Sequence, residues 1–232
     1  MALFTFKKKS VDSAFDNAMY FAMQANRHPD PLQRLLKLKD LRKVFLRKIQ
    51  SQHISLCYCS GLHGAPAELD EDAVFGKELA ALLMNDYRSE VPQALSLNLA
   101  NDIVFPTPWH PSRMINNVGV FGIGYGRQEW EQHTNNHEIY WLETFGFGVV
   151  GNGNHSITAA IINNDISLFK IPNYIEHGLV FDYVHFDGQQ FVLTASEKAL
   201  GEPVYPEFGI VFEISRLIHQ LQNNTGEHDG VY

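Results

Sequence analysis

The sequence predicts an α+β protein in which a mostly helical N-terminal region precedes a small mixed β-sheet. Apolar residues recur at helical spacing in the first part of the chain, whereas short β-branched and aromatic runs bounded by turn residues dominate the rest. Within the second part of the chain, the strand-like pair Val149 and Val150 is followed by a Gly/Asn turn and then by an apolar, helix-like segment that ends at Ile162. We therefore expect a helical region over 1–95 and an α+β region over 96–232.

Helices account for most of the first region. Apolar residues at helical spacing predict helices from Val11 to Ala25, from Leu32 to Ile49 and from Val74 to Leu83. Pro29 and Pro31 end the first of these helices. The run from Ile54 to Tyr58 predicts a short strand, and Pro106, Pro108 and Pro111 predict a rigid irregular segment.

The second region alternates strands with two helices. The predicted strands are 137–142, 147–150, 166–171, 179–186 and 191–194, and the predicted helices are 156–163 and 208–221. Phe145 and Gly146 join the first two strands, and Asp187-Gly188 is a strong hairpin signal between the last two. The expected result is a small mixed sheet closed by a C-terminal amphipathic helix.

The composition is that of an ordinary globular protein. The chain has 232 residues, of which 45% are hydrophobic and 19% charged, and these fractions exclude a disordered protein. It contains no apolar run near the roughly 18 residues of a membrane span, and its early lysines follow a very short apolar stretch, unlike a signal peptide. We expect a soluble cytoplasmic protein with no membrane partner, and we expect Cys57 and Cys59 to be buried, reduced thiols.

Charge is unevenly distributed along the chain. The first 50 residues hold 11 of the 18 Lys and Arg residues but only four of the 26 Asp and Glu residues. A basic helical stretch within residues 34–48 contains Arg34, Lys37, Lys39, Arg42, Lys43, Arg47 and Lys48. It is either a surface for nucleic acid or an acidic partner, or a solvated helix face that pairs with the acidic remainder. We favour the solvated face, because Phe45 is the single aromatic residue within the basic run and does not form a series of stacking residues.

The Gly/Asn turn has the features of an anion site. The turn and helix start consist of Gly151, Asn152, Gly153, Asn154, His155 and Ser156. A helix start leaves unpaired backbone N–H groups with partial positive charge, and the two glycines permit positive φ. Asn154 is expected to cap the helix, with His155 as a proton carrier and Ser156 as a hydroxyl donor at the mouth. The alternative is a capped helix after a tight turn, with His155 merely hydrogen-bonded.

A second polar cluster precedes the first predicted strand of this region. It contains Trp109, Arg113, Trp130, His133, Asn135, Asn136 and His137. Indoles, imidazoles, amides and a guanidinium near one hairpin predict a polar pocket with stacking walls. His133 and His137 would suit a metal only on a shared helix face, and the strand pattern beginning at Asn136 argues against one. We therefore predict no metal site.

The segment from Val149 to Ala160 resembles the signature of the ParB/sulfiredoxin-like fold. In that signature the second strand of a hairpin ends in a Gly-x-His-Arg or Gly-x-x-Arg loop, followed by an Ala-rich helix. The resemblance extends over Ile103 to Ile175, about a third of the chain. Separately, the Pro-Thr-Pro-Trp-His-Pro-Ser-Arg run, Trp130, Asn136-His137 and the Asn152–Ser156 turn resemble an uncharacterised family of bacterial proteins over most of the chain.

The resemblance to the ParB/sulfiredoxin-like fold implies a nucleotide or phosphate site. Members of that fold bind and hydrolyse CTP or ATP, transfer phosphoryl groups to a sulfinic acid, or act as nucleases. His155 matches the motif histidine, but Ser156 stands where the motif has an arginine that grips phosphate. Arg113 is the expected substitute. The cysteine that sulfiredoxin activity needs is absent from the loop.

Two functional hypotheses follow. The first is a phosphate- or nucleotide-handling enzyme, a nucleotide hydrolase, phosphotransferase or nuclease, acting as a bacterial toxin or in phage defence with a nucleotide and Mg²⁺. Its predicted catalytic residues are His155, Ser156, His137 and Arg113, and its predicted binding residues are Gly151, Asn152, Gly153, Asn154, Asn136, Trp109 and Trp130. The second is a non-catalytic module that binds nucleic acid or a partner protein through residues 34–48. A degenerate enzyme with a structural role is a third alternative.

Overall fold

The computed structural model describes residues 13–60, 66, 68–84, 96–121, 126–170, 173–177 and 179–225. Within these ranges the helices are α1 (Ala14–Ala25), α2 (Pro31–Ser60), α3 (Glu71–Phe75), α4 (Lys77–Leu83), α5 (Pro111–Asn117), α6 (Asn154–Ile162), α7 (Val180–Tyr183) and α8 (Glu207–Thr225). The strands are β1 (Ser96–Asn98), β2 (Val104–Phe105), β3 (Glu138–Leu142), β4 (Phe147–Asn152), β5 (Leu168–Lys170), β6 (Asn173–Ile175), β7 (Val184–Phe186), β8 (Phe191–Leu193) and β9 (Ala199–Gly201). The protein is α+β, as the sequence predicts.

A four-stranded mixed sheet holds the segment that the sequence singles out. Its strand order is β2-β4-β3-β6, with β3 antiparallel to β4 and the outer strands parallel to their neighbours. The predicted hairpin is therefore confirmed as β3 and β4, and α6 follows β4 after Gly153. Two smaller sheets, β1-β5 and β7-β8-β9, complete the strands in the described residues. The relation to the ParB/sulfiredoxin-like fold stays a prediction.

The predicted strand from Ile54 to Tyr58 is wrong, because α2 continues through it to Ser60. Gln50, His53 and Cys57 are buried at helical spacing along one face, and no glycine or proline interrupts the run. Packing of this face outweighs the β propensity of the local residues. The expectation of buried thiols holds for Cys57, whose pKa burial raises to about 11, but Cys59 is exposed.

The predicted strand over 179–186 is also wrong in its first half. Residues 180–183 form the short helix α7, and only the last three residues pair with β8. The buried guanidinium of Arg216 donates hydrogen bonds to the carbonyl oxygens of Phe181 in α7 and of Val184 at the start of β7. These bonds to α8 explain why the chain turns before it enters the sheet.

The predicted helix from Val74 to Leu83 is divided into α3 and α4 at Gly76. This glycine has a φ of 76°, outside the helical range, and a Cβ there would lie 3.2 Å from the Cα of Gly201. The close approach of the two backbones brings α3 and α4 against β9. The sequence pattern was helical on both sides of the break, which concealed it.

Helices and sheets on either side of residue 95 share their hydrophobic cores. Ala18, Ala22 and Leu38 pack with Ile210, Ile214 and Ile218 of α8. A larger core joins Leu46 and Ile49 of α2 to Phe105 and Phe147 of the sheet and to Phe208 and Phe212 of α8. The first two helices therefore contribute side chains to the same cores as the α+β region.

The basic stretch of α2 makes several contacts with the rest of the chain. Arg42 donates to the carbonyl oxygen of Thr144 at 3.1 Å and to the Ser215 hydroxyl at 3.2 Å. Arg47 donates to the carbonyl oxygen of Asn101, and Lys48 forms an ion pair with Glu207. These contacts support the interpretation that this face pairs within the protein. In the described part of the chain, no helix combines the length and apolarity needed to cross a bilayer.

Candidate functional site

A pocket of about 270 Å³ lies between α5, the loop before β3 and the N-terminus of α6. Its lining consists of Trp109, Arg113, Asn117, Asn136, Asn152, Gly153, Asn154, His155 and Ser156. The structure thus brings together eight of the predicted site residues. His137, Trp130 and Gly151 lie outside the lining, and Asn117 is a lining residue that was not predicted.

Gly153 connects β4 to α6 and fixes the shape of the pocket floor. It is the N-cap residue of α6, with a φ of 85°. A Cβ at this position would lie 2.4 Å from Cδ2 of His137 and 2.8 Å from the carbonyl oxygen of Asn136. Both the backbone conformation and the lack of space therefore require glycine.

Asn154 is the first residue of α6, so the prediction that it caps the helix is wrong. Its Oδ1 instead accepts the backbone N–H of Thr107 at 2.6 Å. Thr107 lies between β2 and α5, and its hydroxyl in turn contacts Nε2 of His53 at 2.9 Å. The Asn154 side chain therefore ties the start of α6 to the segment that carries Trp109 and Arg113.

Three backbone N–H groups at the start of α6 face outward without an acceptor. The N–H of Ile157 donates to the carbonyl oxygen of Gly153 at 3.1 Å and begins the bonding of the helix. The preceding N–H groups of Asn154, His155 and Ser156 donate to no acceptor in the described residues. Such groups carry partial positive charge and bind oxyanions.

His155 is a neutral ring whose proton lies on Nδ1. Its Nε2 accepts the backbone N–H of His110 at 3.0 Å, and a backbone N–H can only donate. Burial, followed by the charges of Arg113 and His110, lowers the pKa of His155 below its usual value. At neutral pH this ring therefore offers a hydrogen-bond donor rather than a free basic nitrogen.

His137 and Ser156 lie in contact, as a catalytic base and its serine nucleophile do, but the hydrogen bond between them has the opposite direction. Nδ1 of His137 accepts the backbone N–H of His133 at 3.0 Å, so the proton of the neutral ring lies on Nε2. Nε2 lies 2.6 Å from Oγ of Ser156, and this hydroxyl donates to the carbonyl oxygen of Gly153 at 3.2 Å. A serine nucleophile needs an unprotonated nitrogen beside its hydroxyl, so this pair holds the loop instead.

Burial and the neighbouring His133 lower the pKa of His137 to about 4. Trp130 is buried and stacks on the His137 ring, with centroids 5.0 Å apart and an interplanar angle of 18°. The Trp130 indole packs behind the floor of the pocket, whereas the exposed Trp109 lies at the rim of the pocket.

Gly151 packs against Tyr140 of β3, where a Cβ would lie 2.7 Å from the Tyr140 ring.

Arg113 and Asn117 are one helical turn apart on α5. Pro111 occupies the first turn of this helix, and Met114 is buried beneath it. The sequence contained a signal for α5, because Pro111 followed by apolar Met114 is a typical helix start. The prediction of an irregular segment at Pro106, Pro108 and Pro111 is wrong at Pro111, where α5 begins, and it concealed the helical spacing of Arg113 and Asn117.

A comparison with protein-family models identifies the family to which the sequence is assigned. The model of DUF6710, described as a family of unknown function, matches residues 2–225. The chain belongs to DUF6710. Searches of curated proteins and of solved structures gave no significant match.

The described lining of the pocket in this DUF6710 protein is formally cationic. Among its described lining residues Arg113 is the one arginine or lysine, and none is Asp or Glu. The described part of the chain contains no group of three His, Cys, Asp or Glu residues that could hold a metal ion. The rings of His133 and His137 lie 5.6 Å apart, but both nitrogens of His137 are already engaged. The arrangement can therefore bind an oxyanion through a guanidinium, an imidazole N–H and backbone N–H groups.

Proposed function

We propose that this DUF6710 protein binds a phosphate-bearing small molecule of the nucleotide class, with the phosphate at the N-terminus of α6. The observation that carries the proposal is the convergence of Arg113, His155 and three backbone N–H groups without acceptors on one pocket. Helix N-termini bind phosphate through such N–H groups and the helix dipole. Arginine adds a planar fork that can bind two phosphate oxygens together.

The local charge opposes the charge of the whole chain. The formal net charge is −8, yet no acidic side chain is found among the described residues of the lining. An anion entering the pocket therefore meets donors and one guanidinium, not carboxylates. This local inversion supports an anionic ligand and argues against a cation or a basic peptide.

Arg113 also supplies the cation that the loop itself lacks. Ser156 occupies the position of the motif arginine in the ParB/sulfiredoxin-like resemblance, and it faces the same pocket as Arg113. We propose that the guanidinium from α5 replaces the missing loop arginine.

Binding, rather than turnover, is the function that the two histidines support. His155 and His137 each use one ring nitrogen to accept a backbone N–H and carry their proton on the other. Neither is arranged as a general base, and Ser156 is not activated as a nucleophile. The basic stretch of α2 gains no support as a ligand surface, because Arg42, Arg47 and Lys48 bind other parts of the chain.

Isothermal titration of the wild-type chain with nucleoside monophosphates and triphosphates tests the proposal. We expect saturable binding that weakens by about tenfold or more in Arg113→Ala, since a hydrogen bond to a charged group contributes roughly 1.5–3 kcal/mol. Arg127→Ala is the matched control. Arg127 donates to Asn163 just beyond the C-terminal end of α6, outside the pocket, and its loss should leave the affinity unchanged. The absence of binding, or equal affinity in Arg113→Ala, would contradict the proposal.

A further inference from the structure

One exposed aromatic side chain stands beside the anion donors. Trp109 is 55% exposed at the rim, whereas Trp130 and Trp141 are buried at 2% and 8% exposure. T-shaped contacts with His155 and His110, at centroid distances of 5.7 and 5.4 Å, hold the indole in place. The two histidines therefore hold a largely exposed indole side chain at the mouth of a polar pocket.

We propose that Trp109 is a stacking platform for a nucleobase and that the ligand is a mononucleotide. This inference rests on the proposed function, because it requires the phosphate to lie at the start of α6. An indole face binds any base by stacking, and such contacts are largely indifferent to base identity. The indole lies next to His155, so one ligand in one pocket can reach both groups.

The size of the pocket favours one nucleotide over a longer ligand. Its volume of about 270 Å³ lies just below the range of about 300–1,000 Å³ that is typical for small-molecule pockets. A nucleic acid strand would need a groove that continues beyond the rim, with further cations along it. In the described lining the cation is Arg113 alone, which matches a single phosphate group.

Two amide side chains in the pocket lining can pair with a base. Asn117 and Asn136 line the pocket with their amide-bearing side chains. Each amide offers a donor and an acceptor, which can pair with the edge of a base. The stacking face and these amides therefore line the same pocket as Arg113 and the start of α6.

The test compares three phosphate compounds by titration calorimetry: a nucleoside 5′-monophosphate, ribose 5-phosphate and inorganic phosphate. We expect the nucleotide to bind about 10- to 100-fold more tightly than ribose 5-phosphate. Trp109→Ala should reduce the affinity for the nucleotide to that for ribose 5-phosphate, and Trp109→Phe should retain most of the difference. Tyr20→Ala removes an aromatic side chain of similar exposure on α1, outside the pocket lining, and should change nothing.

Each outcome separates this inference from the function on which it rests. Equal binding of nucleotide and ribose 5-phosphate, unchanged by Trp109→Ala, overturns the stacking platform and leaves phosphate binding intact. A failure of all three compounds to bind overturns the proposed function itself. Tighter binding of a short oligonucleotide than of the mononucleotide overturns the assignment of a single-nucleotide ligand.

Discussion

His137 and His155 hold opposite neutral tautomers, because each accepts a backbone N–H through a different ring nitrogen. His137 carries its proton on Nε2 and donates it toward Ser156, whereas His155 carries its proton on Nδ1. The His137 imidazole packs beneath the Gly/Asn loop and supports it, whereas the His155 imidazole offers a hydrogen-bond donor to the pocket. The chemistry of the site thus depends on two backbone donors, His110 and His133, that do not belong to the loop.

Long-range ¹H–¹⁵N NMR spectra of the histidine side chains test this assignment. At pH 7 we expect an unprotonated Nδ1 in His137 and an unprotonated Nε2 in His155, since burial lowers the pKa of both rings. Ser156→Ala, which leaves the Nε2 proton of His137 without its acceptor, should cost about 1–3 kcal/mol of stability. Observing His137 with a bare Nε2 would restore a nucleophile–base pair and contradict the account.

Replacing Gly153 with alanine tests the pocket floor. We expect Gly153→Ala to destabilise the protein by about 2–4 kcal/mol, because strain at positive φ adds to the clash with His137 and Asn136. Gly119→Ala is the matched control: its φ is 81°, but its Cβ would meet nothing within 4 Å. It should cost only about 1 kcal/mol in urea denaturation. Equal costs for the two variants would show that the floor is not tightly packed.

At the residue scale, the sequence located the pocket but not the role of each side chain. Sequence spacing predicted Arg113, Asn136 and the Gly/Asn loop, because they flank one hairpin. It did not distinguish Trp109 from Trp130, since an exposed and a buried indole have the same local signature. The tautomers of His137 and His155 could not be predicted from the sequence either, because the backbone N–H groups that determine them are positioned by the fold.

Among the elements, α6 and the segment before α5 are joined by the Asn154 side chain. Oδ1 accepts the N–H of Thr107, a buried residue 47 positions earlier in the chain. This hydrogen bond sets the distance between the N-terminus of α6 and the rim that bears Trp109. The pocket therefore depends on the relative position of α6 and the segment before α5, and not on the Gly/Asn loop alone.

Asn154→Ala should destabilise the protein by about 1–3 kcal/mol, because it leaves the buried N–H of Thr107 without an acceptor. Asn154→Asp keeps an acceptor oxygen at that position, so its stability should stay closer to wild type, while its negative charge should weaken phosphate binding. Thermal denaturation and titration calorimetry measure the two effects separately. Wild-type stability of Asn154→Ala would mean that the hydrogen bond does not join the elements.

The sequence predicted β3, β4 and α6 because their patterns are local: alternating or continuous apolar residues, a glycine turn and an apolar helix. The sequence patterns predicted the wrong secondary structure where contacts with residues distant in the chain determine it. His53 and Cys57 keep α2 helical through a run with β propensity, and Arg216 of α8 turns α7 away from the sheet. Neither contact has a signature within a few residues of the affected segment.

For the molecule as a whole, two buried histidines link stability to pH. Burial lowers the pKa of His53 to about 4, and burial together with His133 does the same for His137. Both stay neutral in the folded state, whereas their unfolded pKa is about 6.5. The unfolded chain therefore binds more protons between these values, and stability falls as the pH falls from about 6.5 to 4.

Chemical denaturation at pH 7.0, 5.5 and 4.5 measures this dependence. Between pH 7.0 and 4.5 we expect the free energy of unfolding to fall by on the order of 2 kcal/mol for each histidine, after allowance for solvent screening. In His53→Gln or His137→Gln the loss should be smaller than in the wild-type chain, even if the variant is less stable at pH 7. Equal pH dependence in all three proteins would show that neither ring has a depressed pKa.

The central claim is that a phosphate group binds to the backbone N–H groups at the start of α6. The most direct measurement is a ¹H–¹⁵N correlation titration of the whole chain with a nucleoside 5′-monophosphate. We predict the largest saturable shifts at the N–H groups of Asn154, His155 and Ser156, and in Arg113→Ala we predict that these shifts saturate only at about tenfold higher ligand concentration or above. Unmoved signals at these three residues under saturating ligand, or shifts centred elsewhere on the chain, would contradict it.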